Sequence, residues 1–142
     1  MNTSISVVLP TFNRERLLVD TIAALLPLLK EGDEILVIDQ SLAHEAETDT
    51  ALTIWAERQE IRWVRKTRPS QGEAMNAAAW LATGDILLFL DDDINPPLSL
   101  FDAHREAHAK NSGLPAVCGQ VLRPGTKVLS RAGIRHGLCQ AR

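Results

Sequence analysis

The chain has 142 residues, 45% of them apolar and 23% charged, with a formal net charge of −3. That is enough for one domain with a real core, and the composition is ordinary for a soluble globular protein. It excludes a disulfide scaffold, because Cys118 and Cys139 share no metal or redox spacing, and it argues against stacking platforms for nucleic acid, because aromatic residues make up only 4%.

The elements follow in chain order. Ile5-Ser6-Val7-Val8-Leu9 reads as a buried strand closed by Pro10. Asn13 is placed to cap a helix in which Leu18, Ile22, Leu25, Leu26 and Leu29 share one face. Gly32-Asp33 turns the chain into a second strand, Glu34 to Asp39. A polar helix is expected from about Ala43 to Arg58, with Ala46, Leu52 or Ile54, and Trp55 turned inward. Ile61 to Arg65 alternates as a third strand. Ser70-Gln71-Gly72-Glu73 fits a capping box, and its helix runs to Ala82 before Thr83-Gly84. Asp85 to Leu90 is the fourth strand. Leu98 to Lys110 is a further helix, and Ala116 to Val121 a weaker fifth strand.

Short apolar strands alternating with helices predict an α/β fold with a mostly parallel sheet and helices on both faces. In open sheets of this kind ligands bind outside the carboxyl ends of the strands. Polar clusters follow each strand there: Pro10-Thr11-Phe12-Asn13, Asp39-Gln40-Ser41, Lys66-Thr67-Arg68 and Asp91-Asp92-Asp93.

The aspartate triplet carries most of the functional information. Clustered carboxylates repel one another and are costly to desolvate, and a divalent cation relieves both problems. Hard oxygen ligands suit Mg²⁺ or Mn²⁺, often held by one or two carboxylates together with substrate phosphates. The plainer reading is an acidic turn before the next helix. An extended backbone puts Asp91 and Asp93 on one side, one for a ribose hydroxyl and one for the metal, with Asp92 facing away into solvent or a helix start. The three carboxylates of Asp39, Asp91 and Asp93 are then expected to open on one cleft. Asp39 suits a base edge or a ribose, and Lys66 and Arg68 suit a diphosphate. Asn76 costs helix propensity in an alanine-rich helix, which points to a bond with a loop or a ligand. His104 and His108 lie four apart but have no evident third ligand, so a solvated face is expected; Cys118 reads as a small core residue.

Four stretches resemble family-two glycosyltransferases in order and spacing: Val7 to Arg14, Val37-Ile38-Asp39-Gln40-Ser41, Asn76 to Asp85, and Phe89-Leu90-Asp91-Asp92-Asp93. The resemblance covers about residues 5 to 122. It implies a Rossmann-like GT-A fold and a nucleotide-diphosphate sugar donor, of UDP or dTDP type, with Mg²⁺ or Mn²⁺ on the diphosphate. By the same resemblance Pro10, Thr11 and Asn13 lie by the nucleotide, and Asp39 matches the acidic residue that contacts the base. Asp91 and Asp93 match the ends of the DxD pattern, with Asp93 the leading metal ligand. The implied reaction is inverting transfer to an acceptor hydroxyl. Gln40-Ser41 and Met75 depart from the family pattern, and no Asp or Glu follows Glu106, so no catalytic base is named.

The expected organisation is therefore a donor-binding domain over residues 1–122 and a basic tail over 123–142 that begins an acceptor half lying beyond this chain. An uncovered sheet predicts a homo-oligomer or protein partner through the exposed surface. Lys110, Arg123, Lys127, Arg131, Arg135 and Arg142 read as a solvated segment or as contact with phosphates or an anionic membrane surface. No stretch near the start spans a bilayer and no basic n-region precedes one. The expected setting is cytoplasmic, with peripheral attachment at the inner face of the membrane as a variant. Two other classes compete. One is a non-catalytic nucleotide-binding or protein-interaction module derived from the same fold. The other is a different α/β enzyme, but the loop after the first strand lacks the glycines of a nucleotidyltransferase, and Arg65-Lys66 does not fit a phosphorylatable receiver site.

Overall fold

The computed structural model describes residues 3–111, 113 and 115–119. The chain divides into two compact units, Met1–Ala103 and His104–Arg142.

The first unit is built on a four-stranded sheet, β1 (Ile5–Thr11), β2 (Glu34–Asp39), β3 (Arg62–Arg65) and β4 (Ile86–Phe89), in the order β3-β2-β1-β4. Every pairing is parallel, as the alternation of strands and helices predicts. Helices α1 (Arg16–Leu25), α2 (Ala46–Glu57) and α3 (Gln71–Leu81) make the crossovers. Helix α4 (Leu100–Lys110) begins in this unit and ends in the other. No described helix is long and apolar enough to cross a membrane.

Strand parity separates two cores. Val7, Leu9, Ile35, Val37, Ile86 and Leu88 pack with Leu18, Ile22 and Leu25 of α1 and Leu52 of α2. Val8, Leu36 and Ile38 pack with Ala74 and Ala78 of α3. The small alanines let α3 lie close to the sheet. On β4 this second face is only half covered, and Leu87 and Phe89 are partly exposed.

Several boundaries moved. Pro10 does not close β1: the strand runs on to Thr11, paired with β2 up to Thr11↔Asp39. Its pairing with β4 ends at Val8↔Phe89. Leu90 N donates to Val8 O, and Gln40 N donates to Thr11 O. Alternate residues bond to alternate neighbours, so Pro10 presents its missing donor on the β4 side, past the last ladder bond. The proline therefore parts β1 from β4 while leaving β1–β2 intact.

Asn13 does not cap α1. The N-cap position is Glu15, and Asn13 sits earlier with φ 52°, a left-handed conformation that asparagine tolerates better than most residues. Pro27 converts the end of α1 into a 3₁₀ turn, Leu26–Leu28. Helix α2 starts at Ala46, which is exposed; Thr48 and Leu52 are the buried positions and Ile54 faces outward. Ser70 caps α3 as expected, its hydroxyl accepting from Glu73 N at 3.3 Å. Residues 116–119 form no strand, and the rest of the expected fifth strand and the tail lie outside the described residues. Cys118 is exposed, not a core residue. His104 is buried rather than on a solvated face, and its burial, with the neighbouring His108 charge, lowers its pKa.

Candidate functional site

β1 lies at the point where successive strands change direction across the sheet: β2 and β3 extend to one side, β4 to the other. That is the topological switch point of an open parallel sheet, where ligands are expected. The parting of β1 from β4 at Pro10 opens it. A pocket of about 400 Å³ lies there, lined by Pro10, Thr11, Phe12, Gln40, Gln71, Met75, Phe89, Leu90 and Asp91. Its polar groups come from the ends of β1, β2 and β4 and from the first turn of α3. Gln40 also accepts from Ser70 N and thereby ties the loop after β3 to the end of β2.

The aspartate triplet follows β4 and divides by parity. Asp91 continues the side of Leu87 and Phe89, is exposed, and lines the pocket. Asp92 continues the side of Ile86 and Leu88 and turns inward. Only 8% of it is exposed. Thr11 Oγ1 donates to its Oδ2 at 2.6 Å, and Thr21 Oγ1 of α1 donates to its backbone carbonyl at 3.0 Å. The expectation that Asp92 faces solvent or a helix start is thus corrected, because the side opposite Asp91 is the interior beneath α1. Asp93 is exposed in the turn beyond. Arg14 lies between these last two, with Nε 3.6 Å from Asp92 Oδ1 and NH2 3.7 Å from Asp93 Oδ2.

Asp39 shares the parity of Ile35 and Val37, so its carboxylate enters the α1/α2 side of the sheet. It is wholly buried. Ser41 N donates to Oδ1 at 2.8 Å, while Trp63 Nε1 at 3.0 Å and His44 Nε2 at 2.9 Å meet Oδ2. Burial opposes the charged carboxylate, but these bonds outweigh it and hold Asp39 below the ordinary carboxylate range. The other ring nitrogen, His44 Nδ1, lies 3.1 Å from Glu15 Oε1. The single cleft expected for Asp39, Asp91 and Asp93 is therefore not what forms. Asp91 lines the pocket, Asp93 is exposed in the following turn beside Arg14, and Asp39 is buried behind the strand ends. Its neighbour Gln40, of opposite parity, takes the place on the pocket wall.

The remaining expected residues are spread around this edge. Pro10 and Thr11 line the pocket; Asn13 is exposed, with its N–H donating to Ser41 Oγ at 2.8 Å. Lys66 supports Asp39 through the backbone, its N–H donating to Asp39 O at 2.7 Å, and Arg68 is exposed in the loop that follows. Asn76 is exposed on α3 and does not line the pocket, whereas Met75 does. The sequence assigns no site role to Gln71, Arg14, Glu15, His44 or Trp63, and shows Met75 only as a departure from the family pattern. The cue for His44 was its position five residues after Asp39, within the loop that turns back over β2.

Among the described residues, no group of three or more His, Cys, Asp or Glu side chains is arranged to hold a metal by itself. Asp91 and Asp93 supply hard oxygen donors of the kind that bind Mg²⁺ or Mn²⁺ jointly with a diphosphate, and both carboxylates are accessible.

Comparison with known proteins agrees with this fold. A curated relative, glucosyl-3-phosphoglycerate synthase of Mycobacterium tuberculosis, is 32% identical over 103 residues, which is 69% of this chain and 31% of that protein. The chain thus spans about a third of the length of the curated relatives it matches. The solved structure of the M. tuberculosis enzyme with phosphoglyceric acid aligns with TM-score 0.53 and 31% identity, covering 70% of this chain and 37% of the other. A Pyrobaculum calidifontis mannosyltransferase solved with GDP-Man and Mn²⁺ shares the fold at TM-score 0.60 and 24% identity, covering 74% and 32%. S. aureus TarS does so at TM-score 0.58 and 21% identity, covering 75% and 20%. The fold is that of the GT-A glycosyltransferases. The model of glycosyl transferase family 2 matches residues 6–133, and the chain belongs to that family.

Proposed function

We propose that this chain is the donor-binding part of a glycosyltransferase, taking a nucleotide-diphosphate sugar and a divalent cation at the carboxyl ends of β1 and β4. One observation carries the reading. Asp91 lines the pocket that Pro10 opens at the switch point, and Asp93, two residues on, is accessible in the turn that follows. Family membership gives the reaction class, and the named ligands of two solved neighbours of the same fold, GDP-Man with the P. calidifontis mannosyltransferase and UDP-GlcNAc with S. aureus TarS, support a nucleotide sugar as the donor.

In this reading Asp93 and Asp91 would hold Mg²⁺ or Mn²⁺, which would supply charge neutralisation for the diphosphate leaving group. Arg14 lies against Asp92 and Asp93, where it can also reach a phosphate oxygen. Thr11, Phe12 and Gln40 form the wall against which the nucleoside rests, and Arg68, exposed in the loop after β3, is the cation assigned to the diphosphate. Asp39 acts from behind, fixing the strand end and Ser41. Transfer with inversion, in one displacement on an acceptor hydroxyl, is the reaction proposed for the whole enzyme.

The test is calorimetric titration with UDP, dTDP and GDP, with Mn²⁺ and then with EDTA, on the native chain, Asp91→Ala and Asp93→Ala. Metal-dependent binding lost in Asp93→Ala supports the donor site, and the preferred base is read from the same titration. Folded protein that binds none of the three would sink it, and would favour a module that recruits a protein partner.

A further inference from the structure

The side of the sheet edge away from the pocket holds a buried polar group that the donor site does not use directly. The His44 side chain is fully buried between two carboxylates, with Nε2 2.9 Å from Asp39 Oδ2 and Nδ1 3.1 Å from Glu15 Oε1. A neutral imidazole donates from one nitrogen only, and an ionised carboxylate only accepts. Both contacts are hydrogen bonds at once only when the ring carries both protons.

The two carboxylates belong to different loops. Asp39 ends β2. Glu15 stands at the N-cap position of α1, directly after Asn13 and Arg14. Arg14 faces Asp92 and Asp93, and Asn13 N donates to Ser41 Oγ. Ser41 in turn donates its N–H to Asp39. The loop between β1 and α1 is therefore tied to the end of β2 by two strings, one through Ser41 and one through His44.

We propose that His44 is a positioning residue for the donor site: as an imidazolium it ties Glu15 to Asp39 and so holds the β1–α1 loop, which carries the pocket residue Phe12 and sets Arg14 against Asp92 and Asp93. This rests on the donor-site reading above, and it adds a regulator of that site that responds to pH.

Every group that faces the ring favours this state or is neutral to it. From β2 comes the Asp39 carboxylate, and from the β1–α1 loop comes Glu15, which also takes Glu45 N at 3.2 Å and the Thr48 hydroxyl of α2. From β3 comes the Trp63 ring, 6.3 Å away centroid to centroid and neutral. Arg65, also on β3, lies over the Trp63 ring and donates to Leu42 O. Burial disfavours the imidazolium, but the hydrogen bonds and charges of Asp39 and Glu15 outweigh it and raise the ring above its ordinary 6.5. A raised pKa means that the tie is favoured at lower pH and is lost as pH climbs through the folded value, which lies above 6.5. The proton that leaves is the one shared with Glu15. Asp39 Oδ2 lies wholly inside, whereas Glu15 is partly exposed and has other donors. Once deprotonated, Nδ1 presents a lone pair to a carboxylate, and the loop is pushed away.

The experiment follows His44 and the amides of Asn13, Arg14 and Glu15 by NMR across pH, in the full chain without ligand. UDP, dTDP and GDP affinities with Mn²⁺ are then measured across the same range. Expected are a His44 midpoint above 6.5, loop amides that move with the same midpoint, and affinity that falls about tenfold above it. Glu15→Gln supplies an amide that can donate to neutral Nδ1, so it should keep the loop in place at high pH and abolish the step. His44→Gln should bind weakly at every pH with no step. A His44 midpoint at or below 6.5, or loop amides that ignore it, overturns the proposal. A chain that binds none of the nucleotides while its loop still follows His44 overturns the donor-site reading and leaves the tie standing.

Discussion

Thr11 Oγ1 donates to Asp92 Oδ2 across 2.6 Å, and both residues are buried. This bond joins the end of β1 to the turn after β4, just past the point where Pro10 has ended their backbone pairing. It replaces a ladder bond with a side-chain bond and so fixes where Asp91 and Asp93 emerge. Thr11→Val keeps the shape and removes the donor, leaving a buried carboxylate oxygen short of a partner. Urea unfolding should show a loss of about 1–3 kcal/mol, and metal-dependent nucleotide binding should weaken with it. Unchanged stability would mean that Arg14 alone suffices to hold Asp92.

The opposite end of the sheet is stapled by Glu34. Its carboxylate accepts from Ser6 Oγ at 2.6 Å, Thr83 N at 2.7 Å and Arg62 at 2.9 Å. Burial alone would raise its pKa, but the donors bring it down from 4.5 to about 2. A depressed pKa contributes stability that is present above the unfolded value and lost as pH falls through the folded one. The native chain should therefore lose on the order of 2 kcal/mol between about pH 5 and pH 2 through this group. Glu34→Gln should start less stable at neutral pH and show a flatter acid limb in denaturant titrations. An acid limb of the same depth in the variant would assign the loss to other carboxylates.

Gly84 permits the close approach of β4 to β1 at the same end. A Cβ there would lie 2.6 Å from Ser6 N, a backbone atom that cannot step aside. Its own N–H donates to Ser6 Oγ at 2.8 Å. Gly84→Ala should cost about 1–3 kcal/mol by overpacking, read as a lower urea midpoint. A neutral result would show that the turn before β4 can shift without disturbing the Glu34 staple.

Asn13 tests the loop between β1 and α1. Its φ of 52° is left-handed, and its N–H is held by Ser41. Asn13→Gly should be nearly neutral, while Asn13→Val should cost roughly 1–2 kcal/mol. Thermal unfolding of both variants checks the pair. Equal stability would mean that the loop relaxes to another conformation.

Residue order alone determined the architecture of this protein. Short apolar runs such as Ile5–Leu9 and Ile35–Ile38 have no choice but a doubly covered parallel sheet, and the carboxyl-end rule then places Pro10, Thr11 and the aspartate triplet at one edge. Four motifs in order carried the family. Which way each side chain faces was decided only by the tertiary structure, because a polar residue at a strand end can continue either face. Asp39 and Gln40 differ by one residue; the packing of β2 between two helical layers turned the carboxylate inward and the amide to the pocket. The same parity buried Asp92 and left Asp91 exposed. The sequence only hints at His44, by its place after Asp39, for a related reason: its two partners lie 5 and 29 residues away and meet only once β1 and β2 are paired. Local pattern sets the elements, whereas burial and charge pairing at their ends are settled by which loops the sheet brings together.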